Sequence, residues 1–227
     1  DCGITGSNSQ KRGDFKRMKA LYIVGAGGFG REMYSWLQDS DANGKEWEVC
    51  GFLDDNLKAL EGFDYPVSVC GTIADHVPNA QNLYLCALGD RKYKQSLCDA
   101  LTRKGADFMT FVHPSAILGK NVKLGTGVVI CPRVTLTCDV KVGAMAMVNC
   151  HSTIGHDAEV GAWSIISANC DLTGYAQLGE GAFMGSGARV IPGKKVGANA
   201  VVGAGSVVIR DVPEGTTVFG NPARSLI

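Results

Sequence analysis

Hydrophobic positions keep two different rhythms along this chain. From Leu118 onward every sixth residue is aliphatic, through Leu124, Ile130, Leu136, Val142, Val148, Ile154 and Val160 to Val202 and Val208. A period of six fits neither an amphipathic helix, whose apolar stripe recurs at three and four, nor an alternating hairpin sheet. It fits a parallel β-helix, in which each hexapeptide supplies one short strand and one corner. Three hexapeptides close a coil of eighteen residues, and the aliphatic side chains fill a three-sided prism of about five coils. Glycine follows the aliphatic at 125, 143, 161, 179 and 197. A residue without a side chain there is expected to help the chain round the corner. Residues eighteen apart are expected to stack at one strand spacing, about 4.8 Å.

Residues 18–112 are written differently. "KALYIVGAGG" predicts a buried strand ending in glycines, "FGREMYSWLQD" an amphipathic helix, and "WEVCGFLDD" a second strand ending in acids. "NLYLCALGD" predicts a third strand, and "RKYKQSLCDALTRKG" a helix closed by Gly105. That is a β-α-β plan with parallel strands. The expected organisation is a tag or disordered extension at 1–17, a small Rossmann-like parallel α/β domain at 18–112, and a β-helix domain at 113–227.

Composition narrows the classes. Lys plus Arg and Asp plus Glu both number 22, so no overall field favours nucleic acid or an anionic membrane. No apolar run approaches the roughly 20 residues of a spanning helix. The first 17 residues are polar and lack the apolar core of a signal peptide. Nine cysteines, an odd number without a Cys-x-x-Cys pair, suggest free thiols in a cytoplasmic protein rather than a disulfide framework.

Two stretches carry candidate chemistry. Gly25-Ala26-Gly27-Gly28-Phe29-Gly30 matches G-x-G-x-x-G between a predicted strand and a predicted helix. Backbone N–H groups at such a helix start cradle phosphate. Asp54 and Asp55 close the next strand, where an acid can grip a ribose, and Gly89 closes the third. With one mononucleotide half ahead of the prism, a nucleotide or nucleotide-linked sugar fits better than a dinucleotide. The second stretch, "NCHSTIGHD" at 149–157, holds two of the four histidines, with an acid directly after the second. From the residues alone His156 reads equally as a base or as an exposed corner residue, while His113 and His151 read as structural.

Together, "GAGGFG", "GFLDD", "ALGD", "VHPSAI", "IGHD", the hexapeptide run and "GNPAR" over residues 19–227 resemble the bacterial nucleotide-sugar acetyltransferases. That family includes UDP-4-amino-sugar N-acetyltransferases and sialic acid O-acetyltransferases. The resemblance implies a left-handed β-helix that trimerises, with acetyl-CoA between neighbouring prisms and no metal. It implies nucleotide-sugar contacts at Gly27, Gly28, Phe29, Asp54, Asp55 and Gly89. It places the general base at His156, its supporting carboxylate at Asp157, and a backbone donor to the thioester carbonyl at Gly174. Further acetyl-CoA contacts fall on Ser186 and Ala204. At a position near the acetyl group where some members carry a second histidine, this chain has Ile165. The implied activity is N-acetylation of a UDP- or dTDP-linked 4-amino-4,6-dideoxy sugar, with sugar O-acetylation as the alternative.

Two further classes compete. In β-helix carbonic anhydrases histidines five residues apart bind zinc, a spacing that His151 and His156 copy; the third ligand position, two coils before His151, is Ser115. A non-catalytic nucleotide-binding scaffold is the other.

Overall fold

The computed structural model describes residues 18–226, and the expectation for residues 1–17 lies outside them. The head is built from β1 (Lys19–Val24), α1 (Gly28–Leu37), β2 (Trp47–Leu53), β3 (Val69–Gly71), β4 (Asn82–Cys86) and α2 (Arg91–Arg103). Its sheet runs β3-β2-β1-β4, every neighbour parallel. Leu21, Ile23 and Val24 of the central β1 and Tyr84 and Leu85 of β4 are fully buried, as expected of parallel strands covered on both faces. Met33 and Leu37 anchor α1 to that sheet. Gly105, at φ +99°, lies two residues past the end of α2. The edge strand β3 departs from the expected three strands; three residues are too short to show a period. The chain reaches it from β2 through turns, with no second crossover helix between them.

The second half is a parallel β-helix with three faces. The first carries seven parallel strands, from Phe111–Val112 to Thr217–Phe219, and an antiparallel closing strand Arg224–Ser225. The second carries six strands, from Ile117–Leu118 to Val207–Val208, and the third five, from Lys123–Leu124 to Lys195–Val196. Partners are eighteen apart, as in Val142 with Val160 and Ile154 with Leu172. From Ile130 to Val208 each sixth aliphatic is at most 3% exposed, so the period of six is the prism core. Leu118, on the first rung of its face with no coil beneath it, is 38% exposed.

The corners work differently from the expectation. The left-handed backbone falls three residues after each aliphatic, at Asp139, Met145, His151, Asp157, Trp163, Asn169 and Tyr175, with φ between 58° and 62°. The glycines directly after the aliphatics serve the approach of successive coils instead. A Cβ on Gly125 would stand 2.6 Å from Ala144 N, and one on Gly179 2.5 Å from Ala198 N. Glycine is needed there because backbone meets backbone, not because the chain turns.

Three contacts fix the head on the prism. Phe111–Val112 pairs with Val129–Ile130, so the first rung precedes His113. His113, 7% exposed, bonds Asp39 at 3.2 Å through Nε2 and Ser115 at 2.8 Å through Nδ1. Lys94, 2% exposed, sends Nζ from α2 to the Met145 carbonyl at 2.6 Å, and burial lowers its pKa. The eight cysteines among the described residues are free thiols. No helix among these residues is long and apolar enough to cross a membrane.

Candidate active site

The carboxyl ends of β1, β2 and β4 bring the glycine loop, Asp54 and Gly89 to one edge of the head sheet, where open α/β sheets bind ligands. Helix α1 begins at Gly28 with Gly27 as its cap, has no side-chain cap and carries no acid in its first turn. Gly27, Gly28 and Gly89 are exposed. A Cβ on Gly27 or Gly89 would meet nothing within 4 Å, so the surface there is open. Gly30 does the opposite work: a Cβ would overlap the Gly25 carbonyl, so its absence lets α1 press onto the loop. Phe29 sits edge-on to Trp36 at 6.1 Å and is only partly exposed.

The two acids are not equivalent. Asp54 Oδ2 accepts the Ala26 N–H at 2.7 Å and its Oδ1 accepts the Asn56 N–H at 2.9 Å. Asp54 therefore splints the glycine loop to the end of β2, a role that sequence reasoning did not supply. Its remaining lone pairs leave room for a ligand hydroxyl. Asp55 Oδ1 accepts the Ile73 N–H at 3.0 Å, holding the segment that follows β3. If this edge binds the nucleotide-linked sugar that the motifs imply, with acetyl-CoA on the prism, Asp54→Ala should weaken nucleotide-sugar affinity about tenfold or more, since a charge-assisted hydrogen bond is worth about 1.5–3 kcal/mol. Acetyl-CoA affinity should be unchanged; calorimetry with each ligand separately checks both halves of that statement.

The second cluster lies on the prism corner between the second and third faces. His156 and Asp157 follow the strand Thr153–Ile154, and the strand Asp171–Leu172 one coil later leads to Gly174. Asp157 takes the left-handed corner position at φ 58°, and its Oδ2 lies 2.9 Å from His156 Nδ1. With Nδ1–H donating to that carboxylate, the neutral ring presents Nε2 as its acceptor. Gly174 lies directly over the ring: a Cβ there would stand 2.6 Å from Nε2 and 2.8 Å from Cε1. The Gly174 N–H has no acceptor among the described residues. Tyr175, which sequence reasoning missed, closes on the same imidazole with ring centroids 5.0 Å apart. The eighteen-residue register held the signal, because Tyr175 stands one coil above Asp157. His156 and Asp157 side chains are 54% and 42% exposed, so this is an open surface corner.

The other expected cofactor positions lie elsewhere on the prism. Ser186 and Ala204 follow the strands Phe183–Met184 and Val201–Val202 and stack at the corner between the first and second faces. Ile165 is on the first face, 5% exposed, between Met147 and Phe183. One chain thus brings together His156, Asp157 and Gly174, and carries Ile165, Ser186 and Ala204 away from them. His151 also occupies the corner between the first and second faces, one corner before His156. No three His, Cys, Asp or Glu side chains among the described residues gather as a metal site requires.

The chain thus joins a phosphate-type glycine loop on a small parallel α/β head to a β-helix with a His–Asp corner, and known proteins resemble both parts. Residues 20–101 match the family model of the PglD N-terminal domain. The chain is 34% identical over 120 residues to the UDP-N-acetylbacillosamine N-acetyltransferase of Bacillus subtilis (strain 168), covering 50% of this chain and 51% of that protein. It is 30% identical over 124 residues to the GDP-perosamine N-acetyltransferase of Escherichia coli O157:H7, covering 53% and 54%. The chain thus spans about half the length of the curated relatives it matches. Among solved structures, PerB of Caulobacter crescentus in complex with CoA and GDP-perosamine superposes with a TM-score of 0.82 at 29% identity, over 93% of this chain and 99% of that one. The acetyltransferase domain of PglB from Neisseria gonorrhoeae FA1090, in complex with acetyl coenzyme A, gives 0.82 at 27%, over 92% and 100%. The resemblance read from the motifs is therefore borne out, and the fold is shared along nearly the whole chain.

Proposed function

We propose that this chain is an acetyl-CoA-dependent N-acetyltransferase acting on the 4-amino group of a UDP- or dTDP-linked 4-amino-4,6-dideoxy sugar. The observation that carries the reading is the stack of Asp157, His156 and Gly174 on one open corner. The glycine loop and Asp54 bind the nucleotide part, and the amine reaches the prism. His156 Nε2 takes the amine proton as the nitrogen attacks the thioester carbonyl. Asp157 holds the tautomer and stabilises the imidazolium that forms. The unpaired Gly174 N–H donates to the oxyanion of the tetrahedral intermediate. Collapse expels the CoA thiolate, which takes the proton back from His156. No covalent enzyme intermediate is needed, and no thiol of the chain acts as nucleophile.

The active form is a homotrimer. The His156 cluster and the Ser186–Ala204 column sit on different corners of one prism, so they can flank one acetyl-CoA only if two copies meet. The free thiols fit a reducing cytoplasm, and the balanced charge fits a small-molecule substrate rather than nucleic acid or membrane.

Thiol release from acetyl-CoA, measured against UDP-, dTDP- and GDP-linked sugars carrying either an amine or a hydroxyl at C4, tests the reading. Release is expected with an amino sugar and not with its hydroxyl counterpart. Release only with hydroxyl sugars moves the assignment to O-acetylation, and none with any acceptor overturns it. Light scattering at micromolar concentration should give three times the chain mass; a monomer would remove the shared cleft.

A further inference from the structure

We propose that Tyr175 is a positioning residue for His156, its ring fixing the imidazole from the corner one coil above. This rests on the reading of His156 as the base. Tyr175 has φ 59°, in the left-handed region that Asn, Asp and Gly enter more easily than a bulky side chain does. Asn169 and Asn199 hold equivalent corners with φ 58° and 55°, so the fold accepts the easier residue there. Met145 and Trp163, at the same kind of corner, pack against the cluster that joins head and prism, whereas Arg133 and His151 hold it with φ 58° and 60° as exposed side chains, so the ring contact and not the backbone angle sets Tyr175 apart. Tyr175 has no such packing, for it is 61% exposed. Among the described residues its one ring contact is His156, at 5.0 Å and with the planes perpendicular. Its N–H donates to the His156 carbonyl at 2.9 Å, so ring and backbone hold the same residue.

The imidazole is then bounded by three groups. Asp157 bonds Nδ1, the Gly174 backbone lies against the ring, and the Tyr175 ring stands edge to face with it. For a half-exposed base this matters, since a ring free to rotate about χ1 and χ2 spends part of its time with Nε2 turned from the amine. The contact needs an aromatic ring and not the phenol hydroxyl, which has no hydrogen-bond partner among the described residues.

The test pairs Tyr175→Phe with Tyr175→Asn, alongside His156→Asn, using acetyl-CoA and the amino-sugar nucleotide that releases thiol fastest. Tyr175→Phe should keep kcat within about twofold, whereas Tyr175→Asn should lose roughly tenfold to a hundredfold in kcat with KM for both substrates unchanged. Tyr175→Asn should also melt no lower than the wild type, because it relieves the backbone. Histidine ring NMR without substrate gives an independent readout: His156 signals should move in Tyr175→Asn and hold in Tyr175→Phe, with His151 unmoved in both. Full kcat in Tyr175→Asn, an equal loss in both Tyr175 variants, a rise confined to KM, a loss that tracks a much lower melting temperature, or unmoved His156 signals would each overturn the positioning role. Wild-type turnover in a folded His156→Asn protein would overturn the base itself and this role with it, which separates the two failures.

Discussion

His156→Asn should lower turnover by about 10²–10⁴, the usual cost of removing a general base. That corresponds to roughly 3–5 kcal/mol of activation barrier. Asn keeps a polar side chain at the corner, and the His156 side chain is half exposed, so little core burial changes hands. Melting temperature should therefore stay within about two degrees of wild type, and both substrates should still bind. His151→Asn is the internal control. That histidine lies one corner away, is exposed and contacts none of the His156 cluster, so its loss should leave kcat intact. Kinetics on the two variants with a metal analysis also separate the zinc reading, which requires both substitutions to abolish activity together.

Gly174→Ala should be nearly as damaging to turnover and almost silent in stability. The added Cβ would stand 2.6 Å from His156 Nε2, well inside contact distance. What it meets is the end of an exposed side chain, so the fold is expected to yield by swinging the imidazole outward. The hydrogen bond to Asp157 and the reach of Nε2 are then lost, and kcat should fall by about a hundredfold or more. Gly161→Ala makes the contrast. Its Cβ would stand 2.5 Å from Glu180 N and Gly179 C, which are backbone atoms of the next coil and cannot step aside. That variant should lose about 1–3 kcal/mol of stability, the range for an overpacked interior, while what remains folded turns over normally. Denaturant melts and specific activity of the folded fraction distinguish the two outcomes.

Much of this architecture is legible in the sequence because the prism is a one-dimensional repeat. The period of six puts Ile154 and Leu172 in the core, and arithmetic in eighteens sets Gly174 over His156 without any knowledge of tertiary contacts. The glycine loop is similarly local, a strand, a turn and a helix start within a dozen residues. What stayed hidden depends on contacts between distant parts of the chain. Asp54 splints the loop across 28 residues, and Lys94 reaches Met145 across 51. The glycines of the repeat were visible, but their reason was not. A glycine that turns a corner and one that lets two coils touch look alike until the φ angles are known. Tyr175 was missed for a related reason: the register places it one coil above Asp157, but only the tertiary contact shows that its ring turns onto His156.

The eighteen-residue register also restricts how such a chain can change length. An insertion of six residues between Asp157 and Gly174 would carry Gly174 a third of the way round the prism, to another edge. An insertion of eighteen would return it to the right edge but lift it by a further strand spacing, about 4.8 Å, and slide a foreign residue over the imidazole. No whole number of hexapeptides can be added or removed there without separating base from donor. Below Asn149 or above Tyr175 the same additions would leave the pair untouched and only lengthen the column. Relatives of this chain should therefore differ in coil number at the two ends of the prism and agree in the spacing from base to donor, with any extra residues in that interval looped outward from a corner.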